Sequence, residues 1–146
     1  FYLLFFLPFA LLILILIIYY FTGKKNVESN KWKNKKANNI AQKRLKNAKK
    51  CINNANFDRF FEEIEKSLWG YFADKFEVKA ALLSKETIHQ YFNKSQIPTE
   101  IESKFINLIS SCEYARYSPS SNKNEQMNDT LSKAKQIIIE VESAIK

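Results

Sequence analysis

The sequence has little glycine and histidine, and each shortage excludes a class of site. Only Gly23 and Gly70 are glycines, so no glycine-rich loop can cradle a phosphate group. His89 is the single histidine, and no recognisable motif places a serine or cysteine nucleophile beside it. The acidic residues around Glu63 have no further ligand at metal-binding spacing. We therefore expect no catalytic activity, no cofactor and no metal.

Cysteine and methionine are equally scarce. Cys51 and Cys112 are far apart, form no CxxC pair and fall at apolar helical positions, so we predict reduced core residues rather than a disulfide or metal pair. The only methionine is Met127, and the N-terminal region has no basic segment or small-residue cleavage site of a signal peptide. We expect Phe1 to be an internal residue of a longer protein.

The first 22 residues contain no charge and consist mainly of leucine, isoleucine and phenylalanine. A helix of that length is roughly 30 Å long, about the thickness of the hydrocarbon core of a bilayer. The cost of Pro8, near one end, is small against the insertion free energy of so many aliphatic residues. The sequence predicts a transmembrane helix at residues 1–22.

Positive charge is concentrated immediately after this run. Residues 23–50 contain eleven lysines and arginines and one acid, Glu28, whereas the rest of the chain is close to neutral. Lysines near a span mark its cytoplasmic side. We therefore predict a single-pass protein of a bacterial inner membrane with its C-terminal domain in the cytosol and its upstream part outside. The lysines predicted to face the lipid are Lys24, Lys25, Lys31, Lys33, Lys35 and Lys36.

The remaining sequence predicts an all-α fold. Residues 23–30 have turn formers and no apolar periodicity, which indicates a linker, and residues 31–146 carry five stretches of helical periodicity that predict a small five-helix domain. Its first two helices should form an antiparallel hairpin. Asn56 and Ser84 are predicted caps, Pro98 is predicted in a first turn, and residues 117–125 are predicted to be a mobile loop.

The second predicted helix, residues 57–76, is the most hydrophobic and should be the centre of the domain. Trp69 is expected in the core. Because a glycine within a helix costs about 1 kcal/mol relative to alanine, Gly70 indicates that another helix backbone passes close by.

The basic run from Lys31 to Lys50 has three interpretations. Anionic lipid is the favoured partner because the predicted span holds the run near a bilayer. Nucleic acid is an alternative, since basic faces neutralise phosphates. A third interpretation is that the lysines only set the orientation of the span.

Two segments resemble a known family. Residues 67–75, SLWGYFADK, and residues 112–119, CEYARYSP, are similar to the cytosolic end of BatD, a bacterial oxygen-tolerance (aerotolerance) protein. The order of a span, a basic helix, these two segments and a closing helix also matches. The residues that carry the resemblance are Leu68, Trp69, Gly70, Tyr71, Asp74, Lys75, Cys112, Glu113, Tyr114, Arg116, Tyr117 and Pro119.

The resemblance implies a function without an established catalytic activity. It implies an extracytoplasmic part built of β-sandwich-like domains upstream, and partners that are von Willebrand factor A-domain membrane proteins and a MoxR-type AAA+ ATPase. The motif residues themselves are expected to be structural, with Glu113 and Arg116 able to pair at i,i+3. The chain is then a membrane scaffold for stress tolerance. The alternative is a regulatory anchor for a membrane enzyme whose catalytic part lies upstream of Phe1.

Three consecutive isoleucines in the last predicted helix identify a candidate docking surface. Ile137, Ile138 and Ile139 cannot all face one core, because successive helical residues point in different directions. At least one should be exposed. Ile137 and Ile139 are the candidates for contact with a partner.

Overall fold

A computed structural model describes the backbone of residues 2–118 and 122–145, and the side chains of residues 11–17, 35–118 and 122–145. The chain divides into two compact units, Phe1–Lys35 and Lys36–Lys146. The helices are α1 (Tyr2–Asn53), α2 (Phe57–Phe76), α3 (Lys85–Lys94), α4 (Thr99–Tyr117) and α5 (Lys123–Ala144), with a 3-10 helix at Ala80–Leu82. The described residues form no strand, so the all-α class is confirmed.

The predicted span at residues 1–22 lies, apart from residues 11–17, outside the part of the chain whose side chains are described. Among the described residues, no helix combines the length and the apolar character that crossing a membrane requires. Residues 11–17 are all leucine or isoleucine, and each is about half exposed, between 49% and 59%.

Residues 23–30, the predicted linker, have a helical backbone that belongs to α1. Turn formers are present, but one glycine costs a helix only about 1 kcal/mol. Lys24, Lys25 and Glu28 are good helix formers, and adding residues to an existing helix is far easier than nucleating one. The assignment of these residues as a juxtamembrane linker stays a prediction.

Side-chain caps fix the starts of α2 and α3 as predicted. Asn56 accepts a hydrogen bond from the backbone N–H of Arg59 at 3.2 Å, and Ser84 accepts one from that of Thr87 at 3.1 Å. Pro98 is the residue immediately before α4 rather than within its first turn. Its fixed φ suits this position equally well.

The end of α1 and α2 form the predicted hairpin. Residues 54–56 connect them, and the Ser67 hydroxyl of α2 donates to the Ala41 carbonyl of α1 at 3.1 Å, so the two segments run antiparallel. The helix crossing predicted at Gly70 is not found. A Cβ atom there would meet only the Arg44 side chain, at 3.9 Å from Nε. The small, buried position that brings α1 close to α2 is Ser67.

Helices α2 and α5 run in the same direction. Lys123, at the start of α5, lies 5.2 Å from the ring centre of Phe57, at the start of α2. Near the other end of both helices, Tyr71 donates a hydrogen bond to Glu142. Helix α4 packs against both, and α3 packs against α4.

The core is centred on α2, as predicted. Its eight buried residues are Phe57, Phe60, Phe61, Ile64, Ser67, Leu68, Tyr71 and Phe72. At its C-terminal end an aromatic cluster joins three helices, because Phe92 of α3 lies 5.9 Å from Phe72 and 5.5 Å from Phe105 of α4, measured between ring centres. Trp69 differs from the expectation, since it is only half-buried at the edge of this core.

The predicted loop at residues 117–125 is shorter in the structure. Helix α4 continues through Tyr117, and α5 begins at Lys123. The polar residues 123–125 are helical because they form the exposed first turn of α5, where solvent satisfies the free backbone groups. Residues 119–121, and with them the predicted mobility of the loop, lie outside the described part.

Candidate protein-interaction surfaces

The three isoleucines of α5 point in different directions. Ile137 and Ile138 are buried, whereas Ile139 is 54% exposed. This confirms that at least one of them is left outside the core. The residues one and two turns away on the same face, Lys135 and Ser132, are exposed and polar. Ile139 is therefore a single apolar side chain in a polar surface.

Ile137 lies in the floor of a groove between α4 and α5. The groove has a volume of about 420 Å³, and Leu108 of α4 forms the other apolar part of its lining. Lys104, near the start of α4, lies 3.4 Å from Glu140, near the end of α5, so the two helices run antiparallel. Lys104 also lies 2.8 Å from Glu100, whose hydrogen bond raises the pKa of the lysine. Ile137 was a candidate for contact with a partner, but it is only 3% exposed, so that expectation is wrong for this residue. Sequence reasoning also missed the contact of Lys104 with Glu140.

The first resembling segment is mostly structural. Leu68 and Tyr71 are buried in the core, Trp69 is half-buried, and Asp74 is exposed in the last turn of α2. Only Asp74 presents a fully accessible polar group to a partner. The predicted structural role is therefore the one that the packing favours.

Lys75 has a role that sequence reasoning missed. Only 4% of its side chain is exposed, and its ammonium group donates to Glu142 of α5 at 2.8 Å. The other carboxylate oxygen of Glu142 accepts from the Tyr71 hydroxyl at 2.6 Å. Burial, together with this carboxylate, raises the pKa of Tyr71 far above its ordinary value. Lys75 and Tyr71 are one turn apart, but no pattern in the sequence identifies their partner sixty-seven or more residues away.

The second resembling segment makes different ion pairs from the one predicted. Glu113 binds Lys85 at 3.1 Å and Arg116 lies 3.5 Å from Glu65 of α2, so the expected pair between Glu113 and Arg116 is wrong. Each side chain reaches a neighbouring helix instead, which no i,i+3 rule anticipates. Cys112 is buried in the core, and Pro119 lies outside the described residues.

Two tyrosines of this segment are unusually exposed. Tyr114 is 71% exposed and Tyr117 is 82% exposed, and at i,i+3 spacing they share one face of α4. Leu82 is also exposed and precedes Lys85 by three residues, near the ion pair with Glu113. We call Tyr114 and Tyr117 the tyrosine pair. Tyrosine is enriched in protein interfaces, so this is a second candidate contact surface.

The lysines predicted to face lipid fall on both units. Lys35 and Lys36 are exposed. The side chains of Lys24, Lys25, Lys31 and Lys33 lie outside the described residues. Farther along α1, Lys43, Lys46, Lys49 and Lys50 are also exposed, whereas Arg44 is half-buried and extends toward Gly70.

His89 takes part in a hydrogen bond on the surface rather than in a recognisable site. Its Nδ1 atom lies 2.7 Å from a carboxylate oxygen of the buried Glu102, which joins α3 to α4. Within the described residues, no group of three histidine, cysteine, aspartate or glutamate side chains could hold a metal ion. The acidic face of α2 is engaged in ion pairs, Glu62 with Lys66 and Glu65 with α4.

Comparisons with protein-family models, with curated proteins and with solved structures gave no match. The resemblance of the two segments to BatD therefore stays a hypothesis.

Proposed function

We propose that this chain is part of a single-pass membrane scaffold. In this proposal residues 1–22 span the bilayer, residues 23–30 are juxtamembrane, and the helical domain of residues 31–146 binds protein partners in the cytosol. The observation that supports the anchor is the run of seven aliphatic side chains at residues 11–17. They are exposed on every side of the helix, because successive residues are about 100° apart, and such a surface is stable only in an apolar medium.

Ile139 is the observation that carries the docking function. Its neighbours Ile137 and Ile138 are buried in the core, whereas Ile139 is 54% exposed. The clamp formed by Tyr71, Lys75 and Glu142 fixes the same end of α5 and so fixes the direction in which Ile139 points. A rigidly presented apolar side chain loses little entropy when it enters a pocket on a partner.

The partners proposed from the BatD resemblance are a von Willebrand A-domain membrane protein and a MoxR-type ATPase, acting in bacterial oxygen or stress tolerance. Ile139→Lys should retain the stability of the domain and lose co-purification with these proteins. Ser132→Lys is the matched control, since Ser132 is exposed on the same face two turns earlier. If Ile139→Lys co-purifies as well as Ser132→Lys, α5 is not the docking helix.

The orientation has its own test. Cysteines introduced at Ser29 and Ser120 should be protected from a membrane-impermeant thiol reagent in intact cells and should react once the inner membrane is opened. The native Cys51 and Cys112 are buried and give little background. Labelling of Ser120→Cys in sealed cells would reverse the proposed orientation.

A further inference from the structure

The described part of α1 has a lysine-rich face directly opposite its buried face. The buried residues are Ala37, Ala41, Leu45, Ala48 and Cys51. The exposed lysines are Lys36, Lys43, Lys46, Lys49 and Lys50, which we call the lysine strip. At 100° per residue the strip occupies a sector of about 140° centred on the side away from the core.

The lysine strip is electrostatically unbalanced, unlike the rest of the domain. No acidic residue occurs in the sequence between Glu28 and Asp58. Among the described residues, none of the strip lysines forms an ion pair. In contrast, five of the lysines on the other helices are paired with a carboxylate, namely Lys66, Lys75, Lys85, Lys104 and Lys133. Residues 51–146 contain twelve lysines and arginines and fourteen acids, so the excess positive charge of the domain lies on α1.

The other residues of this face restrict what it can bind. Between the lysines lie amide side chains, Asn39, Gln42 and Asn47, and residues 36–50 include no aromatic residue. Without aromatic rings it lacks the stacking platforms that bind single-stranded nucleic acid. Without a large apolar side chain it cannot insert into the acyl region of a bilayer. Lysine ammonium groups do bind phosphates as point charges.

We propose that the lysine strip binds the phosphate groups of anionic lipids in the membrane that anchors the chain. This rests on the proposed function, because the strip begins fourteen residues after the apolar run and the anchor holds it at high local concentration near the headgroups. Basic clusters that follow a span are attracted to anionic leaflets in this way.

The test is lysine footprinting of the full chain in nanodiscs. One set of discs contains phosphatidylcholine alone, and the other also contains about one third phosphatidylglycerol. Acetylation by a water-soluble ester is followed at each lysine by mass spectrometry. We expect Lys43, Lys46 and Lys50 to react at least threefold more slowly in the anionic discs, and about 1 M salt to remove the difference. Lys94 and Lys135, which are exposed on other helices, should react equally in both discs.

A variant identifies which lysines hold the strip on the membrane. The triple change Lys43→Gln, Lys46→Gln and Lys50→Gln should remove the protection of the two remaining strip lysines, Lys36 and Lys49, whereas Lys94→Gln with Lys135→Gln should leave it unchanged. Equal acetylation rates in the two discs, in a chain that has entered the discs, would overturn the lipid proposal and leave the membrane anchor standing. A chain that does not enter discs at all would overturn both. Protection by an RNA oligonucleotide but not by anionic lipid would assign the strip to nucleic acid.

Discussion

Tyr71 donates a hydrogen bond to Glu142 at 2.6 Å and thereby fixes the end of α2 to the end of α5. Lys75, one turn farther along α2, donates to the second oxygen of the same carboxylate. The Glu142 carboxylate thus accepts a hydrogen bond from both the Lys75 ammonium group and the Tyr71 hydroxyl. The described residues contain no buried side-chain polar atom without a partner. This clamp determines how α5 presents Ile139.

Removal of the hydroxyl should weaken the clamp without creating a cavity. We expect Tyr71→Phe to lower the free energy of unfolding by about 1.5 to 3 kcal/mol, the range for a hydrogen bond to a charged group. Urea unfolding of residues 36–146 measures this, because Trp69 is the only tryptophan in that range. Tyr91→Phe is the matched control. Tyr91 contributes its ring to the aromatic cluster, and its change should cost under about 0.5 kcal/mol.

The clamp also predicts a dependence of stability on alkaline pH. Burial, followed by the hydrogen bond to Glu142, raises the pKa of Tyr71 above its ordinary value of 10.0. The folded state therefore keeps a proton that the unfolded state releases. The stabilisation is complete below pH 10 and is lost as the pH rises beyond it. The difference in unfolding free energy between the parent and Tyr71→Phe should shrink from pH 9 to pH 11, and a constant difference would contradict the prediction.

Gly70 offers a stabilising substitution. A Cβ atom at this position meets only the flexible end of Arg44, and the backbone is ordinary helix. Gly70→Ala should therefore raise the free energy of unfolding by about 1 kcal/mol through helix propensity. Ala73→Gly, one turn farther along α2, should lower it by a similar amount. Destabilisation by Gly70→Ala would mean that a helix packs against this position after all.

Leu68 and Trp69 are adjacent in α2, but Leu68 lies in the core and Trp69 at its edge. Leu68 is fully buried, so Leu68→Ala should cost about 2 to 5 kcal/mol. Trp69 is half-buried, and Trp69→Ala should cost less than the 3 to 5 kcal/mol typical of a buried tryptophan. Thermal unfolding followed by circular dichroism measures both. If Trp69→Ala were the more damaging change, the assignment of Trp69 to the edge of the core would be wrong.

Apolar spacing was sufficient to predict the helices of the domain and most of its core. In α1 six apolar residues recur at helical spacing: Ala37, Ala41, Leu45 and Ala48 are buried, and Ile40 and Ile52 are half-buried. The buried face of a helix can be predicted from the local spacing of its apolar residues, which is read directly from the sequence. The same reasoning failed for Trp69. It lies next to the apolar face of α2, and local spacing did not show how much of its side chain neighbouring helices would bury.

Contacts between distant segments could not be predicted in this way. The partners of Glu113 and Arg116 lie on α3 and α2, while local rules offered only the residue three positions away. The small residue where α1 and α2 cross is Ser67 rather than Gly70. The Ser67 hydroxyl donates a hydrogen bond to the Ala41 carbonyl of α1. A glycine indicates that two helices approach closely only where no larger residue fits between them, and here Ser67 fits between α1 and α2.

Cys112 provides a measure of opening of the domain. Burial, with smaller contributions from Glu65 and Glu113, raises the pKa of its thiol from 9.0 to about 12. The thiol is therefore protonated and inaccessible in the native domain, and a thiol reagent at pH 8 should label it only through unfolding. The thiol stabilises the folded state fully below pH 9, and this contribution is lost as the pH rises through 12.

The labelling rate should then follow stability. In a Cys51→Ser background, Gly70→Ala should slow the labelling of Cys112 about fivefold, because 1 kcal/mol reduces the unfolded population by that factor. Tyr71→Phe should accelerate labelling by a factor that matches its loss of unfolding free energy. Two results would contradict the burial of Cys112 in the core. One is labelling of the native domain as fast as that of a free thiol, and the other is a labelling rate that neither substitution changes.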